Sequence, residues 1–360
     1  MSDSFTLVCG GISFRNAPVE VRERAAFREE AVAGALGTLR EALGLEEAVL
    51  LSTCNRVEYF GVAAGEPGRT AEAWPRFLAA FHGLEGAIDF APYAFHLTGH
   101  AAVGHLFQVA AGLDSMVVGE TEILGQIKEA YRVAAEAGAA GKRLHRLFQS
   151  SFAAAKAARS QTQITRGSVS VGSVAVELAE KLFGRLADRT VMVLGAGATS
   201  ERTARSLQSR GASFILVANR THDKAVALAQ ELRGEAVHWE QFEARIPEVD
   251  IVISSTSAPH YVLTRERLEQ VRRRRAGRPL FLIDLAVPRD IEPGANFLDD
   301  VYLYDIDDLE SIARANQKER SAEVARCEAI LQPHVERLME WIAALEERSD
   351  VLAQRTPRPA

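Results

Sequence analysis

The amino-acid sequence predicts an α/β chain: a small mixed domain, a second domain built on a parallel sheet, and a long helix at the C-terminal end. Three observations carry this. Apolar runs over 48–51 and 57–62 flank a short polar connection. A strand pattern over 190–194 enters a glycine-containing loop and then a helical stripe. Beyond Asp305 the pattern stays helical to about Arg348. The expected domains are 1–160 and 168–305, followed by a helical segment over 306–350 and a tail over 351–360.

In chain order, residues 5–10 alternate weakly and read as a strand ending at Gly10-Gly11. Pro18 sits near the start of a helical segment, where its missing N–H costs little. Ala31, Ala35, Leu36, Leu39 and Leu43 form the stripe of a second helix that stops near Gly44. The two strands around Cys54 follow, then a polar loop over 65–68 and a helix marked by Trp74, Phe77, Leu78 and Phe81. This order predicts a compact unit with a small antiparallel sheet. From 101 to 163 three apolar stripes predict helices that close over that sheet. Residues 162–168 read as a linker that also caps the next helix.

The second domain opens on residues 190–194 and Gly195-Ala196-Gly197-Ala198-Thr199-Ser200. A strand, a glycine loop and a helix in that order set a pyrophosphate against a helix N-terminus, the dinucleotide-binding unit of a Rossmann-type fold. Ser200 stands where the third glycine or alanine is usual. The next strand, 214–218, ends in Asn219-Arg220-Thr221 with no acidic residue. A carboxylate there would suit a ribose hydroxyl, whereas an arginine and a hydroxyl suit a 2′-phosphate, so NADPH is the expected cofactor. Buried strands at 251–253, 280–283 and 301–303 extend a parallel sheet, and Ser254 to Ser257 end one of them on the cofactor face.

The C-terminal helix carries Leu331, Val335, Leu338, Ile342 and Leu345 at spacings of a coiled-coil seam. Pro333 is expected to kink or break it near Gln332. The polar span 314–323 offers little surface for folding back, so the seam is expected to pair with a second copy as a homodimer.

A net charge of −6 argues against a general nucleic-acid binder. Local basic stretches remain at Lys142-Arg143-Leu144-His145-Arg146 and at Arg272 to Arg275 with Arg278. Neither a signal peptide nor a run of about 20 apolar residues is visible, so no membrane span is expected. Cys9, Cys54 and Cys327 are odd in number and far apart, which indicates neither a disulfide framework nor a metal site, and the cytoplasm is the expected compartment.

The chemistry concentrates in Ser52-Thr53-Cys54-Asn55-Arg56-Val57-Glu58. A thiolate is a ready nucleophile, and a guanidinium nearby can stabilise it or hold a carboxylate. The other reading of the same residues is a half-buried cysteine beside a surface arginine. His105 lies within an apolar helical stripe, a setting more typical of a core histidine than of a catalyst.

This stretch resembles the active-site signature of the glutamyl-tRNA reductase family. So do Gly112-Leu113-Asp114-Ser115-Met116-Val117-Val118-Gly119-Glu120, Ile123-Leu124-Gly125-Gln126-Ile127-Lys128, Ala218-Asn219-Arg220-Thr221, Asp284-Leu285-Ala286-Val287-Pro288-Arg289-Asp290 and Tyr302-Leu303-Tyr304. The resemblance implies an NADPH-dependent oxidoreductase of tetrapyrrole synthesis. Cys54 would attack glutamyl-tRNA to give a thioester, which is reduced to glutamate-1-semialdehyde. It implies a catalytic role for His105, as base or as orienting group. Thr53, Asn55, Arg56, Ser115, Glu120, Thr121, Glu122 and Gln126 would form the substrate pocket. Partners implied are glutamyl-tRNA, a second copy of the chain and glutamate-1-semialdehyde aminomutase. The chain departs from the family at Phe14, where a histidine is usual, and it stops short of the usual C-terminal helical region. A non-catalytic relative, or another NADPH-dependent reductase on the same fold, are the rival readings. The second gives no reason for the block around Cys54.

Overall fold

The computed structural model describes residues 5–64, 68–116, 118–120, 122–164, 171–315 and 321–355. Residues 65–67 of the expected loop over 65–68, 165–168 of the expected linker over 162–168, Thr121 and 356–360 of the expected tail lie outside the described residues. The chain divides into two compact units, Met1–Ser168 with Lys318–Ala360, and Val169–Gln317.

The first unit contains β1 (Phe5–Ser13), α1 (Val19–Ala25), α2 (Glu29–Leu43), β2 (Leu45–Ser52), β3 (Arg56–Ala64), α3 (Gly68–Phe81), β4 (Phe95–Thr98), α4 (Gly99–Ala111), α5 (Glu122–Glu136) and α6 (Lys142–Gln161). Its sheet runs β2-β3-β1-β4 with every neighbouring pair antiparallel. Strand β3 is covered on both faces. Tyr59 meets Trp74 of α3 at 5.0 Å between ring centroids, while Phe60 meets Phe148 of α6 edge-on at 5.8 Å. Two-sided cover explains why β3 is apolar at nearly every position.

Strand β1 does not end at Gly10-Gly11, as the sequence led us to expect, but continues to Ser13. Gly11 pairs with Glu58, and a Cβ at Gly11 would lie 2.5 Å from Glu58 Cγ. The glycine is a clearance in mid-strand, made for a side chain that crosses the neighbouring backbone. Glu47 is a second buried acid in the sheet. It turns in from β2 and accepts from the backbone N–H groups of Gly141 and Leu144, at 2.9 and 2.8 Å. These donors sit at the N-terminus of α6, where N–H groups lack intrahelical partners and negative charge is favoured.

The second unit contains α7 (Val171–Phe183), β5 (Thr190–Leu194), α8 (Ala198–Ser209), β6 (Phe214–Ala218), α9 (His222–Glu231), β7 (Glu235–Val237), α10 (Phe242–Arg245), β8 (Ile251–Ser254), α11 (Arg265–Arg275), β9 (Leu280–Asp284), β10 (Val301–Asp305) and α12 (Ile306–Ala315). The sheet is β10-β9-β8-β5-β6-β7, and all of its pairs are parallel. Its order reverses at β5. The carboxyl ends of β5 and β8 therefore form the topological switch point at which such sheets bind ligands. Strand β7, three residues long, is too short to register as a pattern in the sequence.

Beyond Asp305 the described residues are helical over Ile306–Ala315 and Ser321–Arg355, and these two spans belong to different units. Helix α12 belongs to the second unit, and α13 (Ser321–Arg355) to the first. Pro333 lies inside α13 without ending it. The expectation that the seam awaits a second copy is also overturned. Leu331, Val335, Leu338 and Ile342 are buried within their own chain, in the core that α4 and α6 share. The surface absent from the polar span before the seam is supplied by these two helices. Their cover offsets the roughly 3 kcal/mol cost of an interior proline. Among the described residues no helix is long and apolar enough to cross a membrane.

Seam burial makes a direct prediction. Leu331→Ala should destabilise the protein by about 2–5 kcal/mol in urea unfolding, the usual cost of a large-to-small core change. A midpoint unchanged from wild type would place the seam outside the core.

Candidate active site

Cys54 lies in the connection between β2 and β3, half-buried and outside any disulfide. The connection is tight because Thr53 closes it twice. Its N–H donates to the Arg56 carbonyl at 2.8 Å, and its Oγ1 accepts from the N–H groups of Asn55 and Arg56, both at 3.1 Å. A hydroxyl doing backbone work here explains how the turn forms without glycine or proline. Phe14 N–H donates to the Asn55 carbonyl at 2.9 Å. Arg22 of α1 reaches in from the other side. Its Nη1 donates to the Cys54 carbonyl and, at 3.1 Å, to Asn55 Oδ1. The peptide carrying the thiol is thus fixed by three elements.

Two residues beyond Cys54, Arg56 belongs to a buried charged cluster. Arg56 and Glu58 are 1% and 0% exposed and meet at 2.7 Å, Nη1 to Oε1. Glu58 Oε2 lies 3.0 Å from Nε2 of His105 on α4. Arg56 Nη1 also donates to Asp114 Oδ2 at 3.1 Å, and its Nη2 donates to the Asp114 carbonyl. Asp114 has Arg15 as a second partner. Burial alone would push the Glu58 carboxyl up, but the charges of Arg56 and His105 and their hydrogen bonds bring it below the usual carboxylate range. Glu58 is therefore ionised. An ionised carboxylate only accepts, so Nε2 of His105 is the donor in this contact. Phe14 takes its place in this cluster, with its ring centroid 5.9 Å from the Arg56 guanidinium carbon.

Cys9 completes the cluster from β1. Its Sγ, a Glu58 carboxylate oxygen and a His105 ring nitrogen all lie within 4.8 Å of one another. Burial, and then the charge of Glu58, push the Cys9 thiol well above its ordinary pKa.

The remaining expected pocket residues differ in burial. Ser115 is buried, whereas Glu120 and Glu122 are partly exposed and Gln126 is exposed on α5. Glu120 is raised by burial, against which the Ser115 hydroxyl and the charges of Arg56 and Arg159 act. Sequence reading missed Glu58, Asp114, Arg15, Arg22 and Cys9 as members of the cluster. Glu58 carried a signal, since it shares strand parity with Arg56 and Phe60 in an otherwise apolar run. Of the two basic stretches, the arginine run serves the protein's own backbone. Arg275 is buried and donates to the carbonyls of Ile246 and Pro247, both at 3.2 Å, and Arg272 pairs with Glu269 at 3.0 Å. In the other stretch Arg143 pairs with Glu46, and its guanidinium carbon lies 4.0 Å from the ring centroid of Phe5.

At the switch point of the second unit, Gly195 has φ +94, and a Cβ there would lie 2.3 Å from the Ser255 carbonyl oxygen. Gly197 immediately precedes α8, whose first N–H groups face outward from the carboxyl end of β5. Ser200 is tolerated at the third small position because its Oγ folds back onto the Gly197 carbonyl at 2.8 Å. Ala198 and Thr199 form the first turn of α8 with it. At the end of β6, Asn219 Nδ2 donates to the Thr221 carbonyl at 2.9 Å, and the exposed Arg220 donates to Ser257 Oγ at 3.1 Å. A glycine cradle, a helix N-terminus and a cation at the β6 end fit a dinucleotide.

Comparison with known proteins agrees with both halves of this description. The N-terminal domain family of glutamyl-tRNA(Glu) reductase matches residues 11–162, and the shikimate/quinate 5-dehydrogenase family matches residues 177–312. A glutamyl-tRNA reductase of Solibacter usitatus is 46% identical over 92% of this chain and 79% of its own length. One from Akkermansia muciniphila is 44% identical over 92% of this chain and 96% of its own length. The solved glutamyl-tRNA reductase of Methanopyrus kandleri is 39% identical, covers 97% of this chain and 82% of its own, and superposes with a TM-score of 0.53. The dehydrogenase-type second unit is a nicotinamide-cofactor domain.

The buried pair predicts a pH-dependent stability. Glu58→Gln leaves Arg56 without its closest charge and should cost about 3–5 kcal/mol at neutral pH. The folded pKa of Glu58 is lowered, so its contribution is complete above the unfolded glutamate pKa of about 4.3 and fades as pH falls below it. Denaturant unfolding of both proteins should show a gap constant from about pH 5 to 8 that narrows only in acid. A gap that is already closed at pH 7 would contradict the pairing.

Proposed function

The chain belongs to the glutamyl-tRNA reductase family, and from that premise we propose how its own residues divide the work. The observation that carries the proposal is the thiol of Cys54, held in a turn braced by Arg22 and Thr53 that leads within two residues to Arg56 and its buried partners Glu58 and His105. The substrate is glutamate esterified to tRNA. The Cys54 thiolate attacks the ester carbonyl, the C–S bond forms, the ester C–O bond breaks and tRNA leaves as the ribose alcohol. His105 takes up or returns a proton at the reacting ester, while Glu58 orients its ring.

Arg56 receives the carboxylate of the bound glutamate. Both of its donating faces are engaged within the chain, so substrate entry is an exchange. Asp114 is the group that yields, because Arg15 remains as its partner. Ser115, Glu120, Thr121, Glu122, Gln126 and Asn55 complete the pocket.

Gly195, Ala196, Gly197, Ala198, Thr199 and Ser200 hold the cofactor pyrophosphate at the start of α8, and Asn219, Arg220 and Thr221 meet the 2′-phosphate of NADPH. Bound there, the reduced nicotinamide supplies the hydride that takes the acyl carbon to glutamate-1-semialdehyde. A thioester suits this step because sulfur donates weakly into the carbonyl.

Two substitutions test the scheme. Cys54→Ser should abolish reductase activity, since a serine hydroxyl without its own base does not replace a thiolate. Activity above a few per cent of wild type would remove Cys54 from the reaction. Arg220→Ala should weaken NADPH about tenfold, as expected for a lost charge-assisted contact, and leave NADH nearly unchanged. Equal loss of both cofactors would separate Arg220 from the 2′-phosphate.

A further inference from the structure

Cys9 has no part in the reaction proposed above, yet it lies against two groups that do. We propose that Cys9, Glu58 and His105 form a binding site for a thiophilic divalent cation of the Zn²⁺ class, and that occupancy of this site switches the reductase off.

The donor atoms are one thiol sulfur, one carboxylate oxygen and one imidazole nitrogen, all within 4.8 Å of each other. A tetrahedral zinc site with bonds of about 2.0–2.3 Å sets neighbouring ligands roughly 3.3–3.8 Å apart. Glu58 Oε2 and His105 Nε2, at 3.0 Å, are already closer than that. Side-chain rotation of about an ångström therefore closes the set around an ion without moving the backbone.

The mixed set also chooses its ion. Hard cations such as Mg²⁺ and Ca²⁺ call for oxygen ligands throughout, whereas S, N and O together suit Zn²⁺, Co²⁺ or Cd²⁺. Three ligands leave a fourth position open for water.

The site is built on rigid parts. Cys9 comes from β1, Glu58 from the adjacent β3, and His105 from α4, which packs on the sheet. Arg56 holds the other oxygen of Glu58 at 2.7 Å, and the rings of Phe60 and Phe95 lie 6.2 and 5.2 Å from the His105 ring. Such supporting contacts orient ligands and are a large part of metal affinity. Binding releases the Cys9 thiol proton to solvent, displaces the Nε2 proton of His105 to Nδ1 or to solvent, and takes the Glu58 carboxylate and the His105 imidazole away from their work at the ester. Cation binding itself is independent of the mechanism, whereas the switch rests on the role proposed for His105.

The test uses the full chain, freed of metal and titrated with Co²⁺ as a visible probe. Wild type should develop a sulfur-to-cobalt charge-transfer band that saturates at one equivalent. Reductase activity should fall in parallel and return on adding EDTA. Cys54→Ser should keep the band. Cys9→Ala should lose it, bind Co²⁺ about 100-fold more weakly or worse, and stay active when Co²⁺ is added. Absence of the band in wild type overturns the site, as does a band that survives in Cys9→Ala or vanishes in Cys54→Ser. A saturated band with full activity overturns the switch and, with it, the part given to His105 in the reaction.

Discussion

The ion pair between Arg56 and Glu58 is the contact on which the first unit's chemistry depends. Both groups are removed from water, which costs each of them several kcal/mol before their attraction is counted. A hydrophobic pair of similar volume would stabilise the sheet as well or better. What the charged pair provides is placement. One oxygen of Glu58 holds Arg56, and the other holds Nε2 of His105. Arg56 in turn fixes the loop at Asp114. Even the backbone of β1 is shaped for it, since Gly11 leaves the space that the Glu58 side chain fills. Removing one member therefore disturbs a nucleophile's surroundings on three elements at once.

In the proposed reaction the two units divide the work by physical type. The first offers a thiol on a braced turn, with charge compensated inside the protein. The second offers backbone N–H groups and a strand-end cation at the switch point of a parallel sheet, where strand order reverses at β5. Its site consists of a close approach at Gly195 and Gly197, and substitution there would fill the space a pyrophosphate needs.

Much of this could be read from the sequence, and the failures have physical causes. The β2–turn–β3 unit, the glycine loop and the stripes of α4 to α6 follow from periodicity alone. Gly10-Gly11 misled because a glycine pair usually marks a strand end, whereas here it marks a close crossing by Tyr59 and Glu58. The seam of α13 is visible as a pattern, but the surface that covers it lies on α4 and α6, far away in the chain. Arg22 has no sequence signal at all. It reaches Asn55 and the Cys54 carbonyl only because α1 folds beside the turn. Cys9, Glu58 and His105 are drawn from three elements at no recognisable ligand spacing, so counting cysteines could not find them. Phe14, a departure at the level of sequence, becomes an aromatic face toward Arg56.

The central claim is that Cys54 carries the glutamyl group between tRNA release and reduction. Mass spectrometry of the intact and digested protein, after incubation with glutamyl-tRNA and no nicotinamide cofactor, tests it most directly. The account predicts one glutamyl group per chain, on the peptide that contains Cys54, labile to hydroxylamine and discharged when NADPH is added. An enzyme that turns over with cofactor, yet carries no adduct without it or carries one on another residue, would contradict the account.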